Sequence, residues 1–334
     1  MLRLAHTLHL FFDPVEGNMG TMKAIRIHDF GGPEVLRVDE IEQPEPNVGE
    51  VLIEVHAASI NPVDYKIRSG AFPAFERSQL PVTLGRDVSG VVVRCGKDVE
   101  ELHSGDAVFA LLDAVRGAYA EYVAAPAAIC AAKPHSLDHV TAASVPLAGL
   151  TAWQGLFEHG QLQAGQHVLI HGGAGGVGHF AIQFAKAKGA RVATTVAGAS
   201  DRDFVRSLGA DDIIDYKEEA FEERVRDVDL VLDLIGGETQ KRSWAVLKGG
   251  GCLVSTLGQP PDREAHKHRA RGVGFLAQPN ASQLREIARL IDDSRVRPIV
   301  RACFSLEEAR TAQQRVEQEH GMGKVVLRVV PARL

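Results

Sequence analysis

The stretch HGGAGGVGHF, residues 171–180, decides the fold of this chain. Gly173, Gly175 and Gly178 form a GxGxxG pattern, which is weak evidence alone because glycine occurs in many turns. Here the pattern follows an apolar run, HVLIH, and opens a stretch with helical spacing, VGHFAIQFAKAKGA. A strand, a glycine turn and a helix in this order bind a dinucleotide pyrophosphate at the helix N-terminus. The stretch therefore predicts a dinucleotide-binding βαβ unit, with a purely structural turn as the alternative.

Each glycine has a role in such a loop. Gly173 permits the tight turn, Gly175 lets the pyrophosphate approach the backbone, and Gly178 lets the helix pack closely on the strand. The candidate cofactor-binding residues of the loop are Gly173, Ala174, Gly175, Gly176, Val177 and Gly178.

The end of the second strand indicates which dinucleotide binds. An NAD site usually places Asp or Glu there, about 20 residues after the glycines. In this chain the place is occupied by Val196, Ala197 and Gly198, and Ser200 and Arg202 follow. The missing carboxylate, with a hydroxyl and an Arg nearby, favours NADPH over NADH. The alternative is that Arg202 points to solvent from the next helix.

The rhythm of apolar runs predicts an α/β protein of two domains. Residues 22–138 contain short strand-like runs bounded by Gly and Pro, which indicates a compact β-barrel. Residues 139–277 alternate apolar strands with helical stretches, which predicts a doubly wound parallel sheet of six strands. Residues 278–334 contain helical stretches and strand-like runs that return to the first domain, and residues 1–21 are expected to be a poorly ordered extension.

Composition excludes several functional classes. The chain has 334 residues, of which 45% are hydrophobic and 24% charged, as in ordinary globular proteins. It has no apolar run long enough to span a membrane, and its net charge of −6 argues against a nucleic-acid partner. Its 4 cysteines are far apart and match no zinc-binding spacing, which suggests reduced thiols in a cytoplasmic protein.

The order of several motifs resembles one family. The segments SINPVDYKIRSG (59–70), LGRDVSGVV (84–92), GGAGGVG (172–178), FVRSLGADDIIDY (204–216) and HGMGKVVL (320–327) occur in the order found in medium-chain dehydrogenases/reductases. Within that superfamily the chain resembles the zinc-independent, zeta-crystallin-like quinone oxidoreductases. The resemblance covers about residues 22–330 and implies a GroES-like β-barrel domain beside a Rossmann domain.

The resemblance also implies an active site in the cleft between the domains. It places the loop with Asn61, Tyr65 and Lys66 opposite the nicotinamide, where these side chains would polarise the substrate oxygen or supply a proton. Each has a plainer reading: Asn61 forms an Asx turn, Tyr65 is core, and Lys66 is a solvated charge. The candidate residues outside this loop are Thr151, Gly258 and Lys324 for the cofactor, and Phe275 for the substrate or for packing alone.

No metal is expected. Where zinc alcohol dehydrogenases carry a cysteine ligand the chain has Asn61, and where they carry His–Glu it has Arg86–Asp87. A tetrahedral zinc site needs three or four suitable ligands. The expected activity is NADPH-dependent hydride transfer to a quinone. The alternatives are an enone or alkenal reductase, a low-turnover NADPH-binding protein and a zinc alcohol dehydrogenase; the family resemblance also suggests a homodimer.

Overall fold

The computed structural model describes residues 20–319 and 321–330 of the chain. Residues 1–19 of the predicted N-terminal extension therefore lie outside the described residues. Among the residues that are described, no helix is both long enough and apolar enough to cross a membrane.

The secondary-structure elements follow one another in two blocks, first mainly strands and then alternating strands and helices. The strands in chain order are β1 (Thr21–Ile27), β2 (Arg37–Glu42), β3 (Glu50–Ile60), β4 (Val82–Thr83), β5 (Asp87–Cys95), β6 (Ala107–Leu111), β7 (Tyr122–Pro126), β8 (Cys130–Ala132), β9 (His167–His171), β10 (Arg191–Val196), β11 (Asp212–Asp215), β12 (Val228–Asp233), β13 (Leu247–Ser255), β14 (Arg271–Gly274), β15 (Val300–Ser305) and β16 (Lys324–Arg328). The α-helices are α1 (Pro62–Arg68), α2 (His139–Ala143), α3 (Pro146–Trp153), α4 (Gly178–Lys188), α5 (Gly198–Ser207), α6 (Phe221–Arg224), α7 (Gly237–Ser243), α8 (Asp262–Lys267), α9 (Ala281–Asp292) and α10 (Ala309–Gln318). A π-helix, Gln154–His159, extends α3, and short 3₁₀ helices cover Pro33–Val35, Arg77–Gln79, Ala127–Ile129, Trp244–Val246 and Leu306–Glu308.

The second block forms a six-stranded parallel sheet in the order β11-β10-β9-β12-β13-β14. Strands β10 and β11 are added on one side of β9, and β12, β13 and β14 are then added on its other side. In doubly wound sheets, ligands bind at the carboxyl ends of the strands on either side of such a reversal. Since the glycine stretch directly follows β9, the topology places it at this position. The parallel six-stranded sheet confirms the predicted fold class.

The first block forms a seven-stranded sheet and a three-stranded sheet. The long strand β3 is buried along almost its whole length because it pairs with β5, β7 and β16. The seven-stranded sheet runs β15-β16-β3-β5-β6-β8 with β7 on β3, and the smaller one runs β2-β1-β4. Strands β15 and β16 come from the end of the described chain, so this sheet is completed only after the parallel sheet has been built.

The side chain of Gln154 binds the chain that leads from β14 back to the first block. The side-chain amide of Gln154 donates to the Gln278 carbonyl (2.9 Å) and accepts from the Gln278 N–H (2.9 Å). Because both hydrogen bonds go to the backbone of Gln278, the chain after β14 is fixed against the π-helix.

Candidate cofactor and substrate site

The glycine loop between β9 and α4 is closely packed on its inner side and open on its outer side. A Cβ atom at Gly173 would lie 2.0 Å from Thr194 Oγ1, and one at Gly178 would lie 2.2 Å from the Gly172 carbonyl oxygen. A Cβ at Gly175 would meet only that same oxygen, at 3.3 Å. No side chain caps the N-terminus of α4, so its first N–H groups can bind an anion. The loop therefore fits a pyrophosphate.

The same loop is tied to the strand that returns from the end of the chain. The Ala174 carbonyl accepts a hydrogen bond from the Gly323 N–H (3.0 Å). A Cβ at Gly176 would lie 2.9 Å from Cδ of Lys324, so the aliphatic part of the lysine side chain packs against the loop at Gly176. Val177 packs on the apolar core beneath. The two blocks of the fold therefore meet at the predicted cofactor loop.

The end of β10 is where the ribose phosphate of a dinucleotide would lie. β10 ends at Val196 without a carboxylate, and Ser200 is exposed on the first turn of α5. Arg202 is directed at acidic side chains, since its guanidinium lies 3.2 Å from Glu218 Oε2 and 3.4 Å from Glu219 Oε1. Ser200 and Arg202 therefore both lie near the end of β10, and the Arg202 guanidinium faces the carboxylates of Asp215, Glu218 and Glu219.

Two residues at this end were not predicted from the sequence. Tyr216 is 57% exposed, and its N–H donates to the Val196 carbonyl (3.1 Å), which places it beside the end of β10. Lys217 follows it and is also exposed. The signal was present in the letters YK directly after β11, because β11 is the next strand beyond β10 in the sheet.

The loops after β12 and β13 supply an apolar rim on the other side of the glycine loop. Ile235 is 54% exposed, and its Cδ1 would lie 3.2 Å from a Cβ at Gly172. Leu257 is 46% exposed and lies against Gly236. Gly258, the predicted cofactor residue, follows with a φ of +113° and open space on its Cα. Apolar side chains exposed beside a polar loop are typical of a ligand site.

Asn61 is almost fully buried, at 1% exposure, and both ends of its amide are engaged. The Lys324 ammonium donates to Asn61 Oδ1 and to the Ile60 carbonyl (3.1 Å). Because an ammonium can only donate, the oxygen of the amide must face Lys324. Asn61 Nδ2 then donates to Asp87 Oδ2 (2.8 Å), while its contact to the Ser59 carbonyl is long, at 3.5 Å.

Asp87 is the centre of this cluster and is fully buried. Its carboxylate accepts hydrogen bonds from Ser59 Oγ (2.5 Å) and from the Leu147 N–H of α3 (2.6 Å). Lys324 Nζ lies 3.8 Å from Asp87 Oδ2, and burial lowers the pKa of Lys324 while the carboxylates of Asp87 and Asp64 oppose that shift. We call Ser59, Asn61, Asp87 and Lys324 the junction cluster, because it joins the β-barrel, α3 and the returning strand.

Asp64 lies beside the junction cluster and titrates near neutrality. Its Oδ2 accepts hydrogen bonds from the Asn61 N–H (2.7 Å) and from Tyr119 Oη (3.0 Å). Burial raises the pKa of Asp64 to about 6, although these hydrogen bonds lower it. Its ionisation therefore works against the folded state.

The variant Asp64→Asn is expected to show how much the ionisation of Asp64 lowers the free energy of unfolding. The native-state pKa of Asp64 exceeds the ordinary value of 3.8, so its contribution to stability is present at low pH and is lost as the pH rises through about 6. The unfolding free energy of the wild-type protein minus that of the variant should fall by up to about 3 kcal/mol between pH 4 and pH 7. Urea denaturation at several pH values measures it; a pH-independent difference would contradict the shift.

Tyr65 and Lys66 lie on α1, both half-buried. Burial raises the pKa of Tyr65, and the negative charge of Glu317 on α10 raises it further, which makes the phenol a weaker proton donor. Lys66 makes no side-chain hydrogen bond or ion pair within residues 20–319 and 321–330, so its ammonium is available to a ligand.

Thr151 and Phe275 occupy different surroundings. Thr151 is 7% exposed, and its hydroxyl donates to the Leu147 carbonyl (2.6 Å) one helical turn earlier on α3. Phe275 directly follows β14, and its N–H still donates to the Ser255 carbonyl of β13 (3.1 Å). Its ring lies against His159 of the π-helix (4.6 Å between centroids). It therefore packs against the parallel-sheet unit while remaining half-buried.

Within the described part of the chain, no group of three or more His, Cys, Asp or Glu side chains is arranged to hold a metal ion. Asn61 and Arg86 stand at the positions predicted to replace zinc ligands, and Asn61 is bonded to protein groups at both ends.

Two family models match the chain. The model described as "Alcohol dehydrogenase GroES-like domain" matches residues 47–135, and "Zinc-binding dehydrogenase" matches residues 208–327. The first match covers most of the β-barrel block and confirms its predicted GroES-like character. The second covers the later part of the parallel sheet and the returning strands.

Relatives of similar length span nearly the whole chain. A zebrafish (Danio rerio) protein named "NAD(P)H oxidoreductase RTN4IP1, mitochondrial" is 36% identical, over 92% of this chain and 92% of its own. The Arabidopsis thaliana "NADPH-dependent alkenal/one oxidoreductase, chloroplastic" is 37% identical over 93% and 80%. Among solved structures, the quinone oxidoreductase from Coxiella burnetii superposes with a TM-score of 0.85 at 39% identity, over 93% of this chain and 100% of that one.

Proposed function

Because the chain belongs to the zinc-independent, quinone oxidoreductase-like family of the medium-chain dehydrogenases/reductases, we propose that it is an NADPH-dependent reductase of quinones. That it is a nicotinamide-dependent oxidoreductase follows from the family. The preference for NADPH, the quinone and the absence of a metal are the proposal. A relative that reduces alkenals and enones supports the reduction of a conjugated C=C bond at the same site as a second candidate.

One observation carries the proposal: Lys324 joins the cofactor loop to the loop predicted to face the substrate. Its stem lies against Gly176, and its ammonium binds Asn61 Oδ1. A nicotinamide that extends from the glycine loop toward the first block would therefore reach the junction cluster. When bound, the reduced nicotinamide supplies a hydride, and the protein supplies binding, orientation and charge stabilisation.

The cofactor residues proposed are those of the glycine loop, with Thr151 and Gly258 toward the nicotinamide end and Lys324 bracing the loop. Ser200, Arg202, Tyr216 and Lys217 would receive the ribose phosphate. Support comes from the missing carboxylate after Val196 and from the exposure of Ser200, Tyr216 and Lys217 beside the end of β10.

The substrate side is proposed to be the N-terminal part of α1 with Phe275. Lys66 offers an ammonium that the described residues leave without a partner, and the second hydrogen of the Asn61 amide has only a long contact. Tyr65 is the weaker candidate for the proton, because its pKa is raised, and solvent can supply that proton instead. The proposed reaction proceeds without a metal, because hydrogen-bond donors such as Lys66 and Asn61 can stabilise the charge that develops on the substrate oxygen.

The variant Arg202→Met tests the choice of cofactor. The loss of a charge-assisted hydrogen bond to the 2′-phosphate should raise the Kd for NADPH by about 10- to 100-fold. The Kd for NADH should change little, because NADH lacks that phosphate. Fluorescence titration measures both constants. An equal rise for the two cofactors would mean that Arg202 acts only through Glu218 and Glu219.

The function itself is tested by a paired assay. Purified protein should oxidise NADPH faster than NADH when a naphthoquinone is the acceptor, as followed by cofactor absorbance. A straight-chain alkenal assayed in parallel separates the two candidates, because it has a C=C bond but no quinone ring. If the protein bound NADPH but neither acceptor oxidised it, the protein would be an NADPH-binding protein and not a reductase of these substrates. Loss of turnover on chelation, restored by Zn²⁺, would overturn the metal-free mechanism.

Two further predictions remain part of the proposal. A homodimer would use β14, which among the described residues pairs on one side only, with β13. A cytoplasmic location rests on the scattered cysteines alone, none of which forms a disulfide in the part of the chain that the structure describes.

A further inference from the structure

Arg86 lies at the point where the β-barrel meets the parallel-sheet unit. It directly precedes β5, and its carbonyl accepts a hydrogen bond from the Leu112 N–H (2.7 Å). Its Nε donates to the Leu112 carbonyl (3.0 Å), so the orientation of the guanidinium is fixed. The next residue is Asp87, which binds the N–H of Leu147 at the start of α3. The side chain therefore originates beside the junction cluster.

Arg86 is partly buried and keeps its charge there. Burial lowers the pKa of Arg86, while the negative charges of Asp64, Asp87 and Asp113 act in the opposite direction. A guanidinium stays protonated under these conditions, because its ordinary pKa is far above neutrality. Its terminal nitrogens are not among the buried, unpartnered side-chain atoms of the described residues, so they are open to solvent and to a ligand.

The terminal nitrogens of Arg86 meet no acceptor among the described residues. Within residues 20–319 and 321–330, Nη1 and Nη2 make no hydrogen bond and no ion pair. The other arginines in this region are satisfied. Arg68, at 1% exposure, donates to Gln313 (2.9 Å) and Glu317 (2.8 Å). Asp113, which lies near Arg86, is bound by a different residue of its own loop.

That residue is Arg116, which donates to Asp113 Oδ2 (2.5 Å) and to Glu50 Oε1 (2.7 Å). The nearby carboxylates therefore set a negative field around Arg86 without bonding to it. Nη1 and Nη2 of Arg86 therefore remain free to donate, on a side chain whose orientation is fixed and which lies beside the junction cluster. This arrangement suits an oxygen of the substrate.

We propose that the Arg86 guanidinium binds the carbonyl oxygen of a conjugated carbonyl substrate and stabilises the negative charge that develops there. The inference rests on the proposed function, and it adds a group that stabilises charge on the substrate oxygen. The β-carbon of the substrate accepts a hydride, with its two electrons, from the dihydronicotinamide, which is thereby oxidised. The π electrons of the C=C bond shift toward the carbonyl, and its oxygen becomes an enolate oxygen.

Arg86 donates from Nη1 and Nη2 to this oxygen while the charge is present. The α-carbon then takes a proton from solvent, and the carbonyl double bond re-forms. The net addition is one hydride and one proton across the C=C bond. The guanidinium keeps its own protons throughout, so it acts as an electrostatic stabiliser and not as an acid.

The first test compares Arg86→Ala with Arg94→Ala, a matched control. Arg94 lies near the far end of the same strand, with its side chain 48% exposed and paired with Glu45. R86A should lower kcat/KM by about 100- to 1,000-fold with either acceptor, as expected for the loss of one oxyanion donor. R94A should stay within threefold of the wild type. The Kd for NADPH should be unchanged in both, because the guanidinium contacts the substrate.

Two further experiments distinguish charge stabilisation by Arg86 from a purely structural role of this residue. Methylguanidinium added to R86A should restore part of kcat, which a misfolded protein would not show. If R86A does not fold, Arg86→Gln takes its place, because its amide can still donate to Leu112. Binding of p-nitrophenol gives a readout without turnover: its phenolate oxygen resembles the enolate, and its absorbance reports ionisation.

The pKa of p-nitrophenol bound to the wild-type protein should be lower by at least one unit than when it is bound to R86A. Equal pKa values in the two proteins, or a kcat/KM of R86A within threefold of that of R94A, would overturn the role of Arg86. Inactive wild-type protein would instead overturn the proposed function, so the two failures are distinct.

Discussion

Replacement of Lys324 by Met is expected to lower the free energy of unfolding by about 3–5 kcal/mol, because it removes one partner of a buried charge pair. Lys324 is 4% exposed, Asp87 is fully buried, and their charged atoms lie 3.8 Å apart. Met has nearly the same length and volume, so little of the effect comes from a cavity. Urea denaturation, followed by the fluorescence of Trp153 and Trp244, measures the change.

Two controls show whether the uncompensated carboxylate is the cause. The double variant Lys324→Met with Asp87→Asn should recover at least half of the loss, because the carboxylate at position 87 is then no longer left without its countercharge. Lys248→Met removes a lysine whose side chain is 47% exposed and which pairs with Asp229, so it should cost less than about 1 kcal/mol. A loss in K324M no larger than in K248M would show that the junction cluster does not depend on the charge of Lys324.

Replacement of Gly178 by Ala is expected to weaken NADPH binding by at least about 100-fold, through the loss of two charge-assisted hydrogen bonds to the pyrophosphate. The new methyl group would lie 2.2 Å from the Gly172 carbonyl oxygen and 2.7 Å from Gly173 Cα, both of which are backbone atoms. The loop must therefore move as a whole. We also expect a loss of stability of roughly 1–3 kcal/mol, the usual cost of overpacking.

Gly175→Ala and Gly249→Ala are the matched controls. A Cβ at Gly175 meets no protein atom closer than 3.3 Å, so G175A should fold normally while its methyl group obstructs the pyrophosphate. A Cβ at Gly249 meets nothing within 4 Å, so G249A should leave both stability and affinity unchanged. Isothermal titration with NADPH gives the affinities and thermal melts give the stabilities. Wild-type affinity in G178A would contradict the role assigned to the loop.

The parallel sheet could be predicted because its signals are local. The runs HVLIH, RVATTV and DIID coincide with β9, β10 and β11, since buried parallel strands are continuous apolar stretches between turn residues. The glycine loop was equally accessible, because strand, turn and helix are adjacent in the chain. Within β13 and β14 the limits were less certain, as the position of Phe275 beyond the strand shows.

The contacts of the site could not be predicted, because they join distant segments. Nothing in the letters around Asn61 indicates that its amide oxygen faces a lysine 263 positions later. Arg202 could be placed near the end of β10, but its proximity to Glu218 and Glu219 depends on how the turn after β11 folds back. Arg86 was visible only as a departure from a zinc ligand; its unpartnered nitrogens required side-chain geometry.

The position of Lys324 so far along the chain has a consequence for biosynthesis. A ribosome completes all six strands of the parallel sheet before Lys324 leaves the exit tunnel. Until then, a nascent polypeptide can form its dinucleotide-binding unit, but the interior aspartate of the first domain has no countercharge. The complete site therefore forms only after the parallel sheet has been translated, and before that point the first domain still lacks β15 and β16.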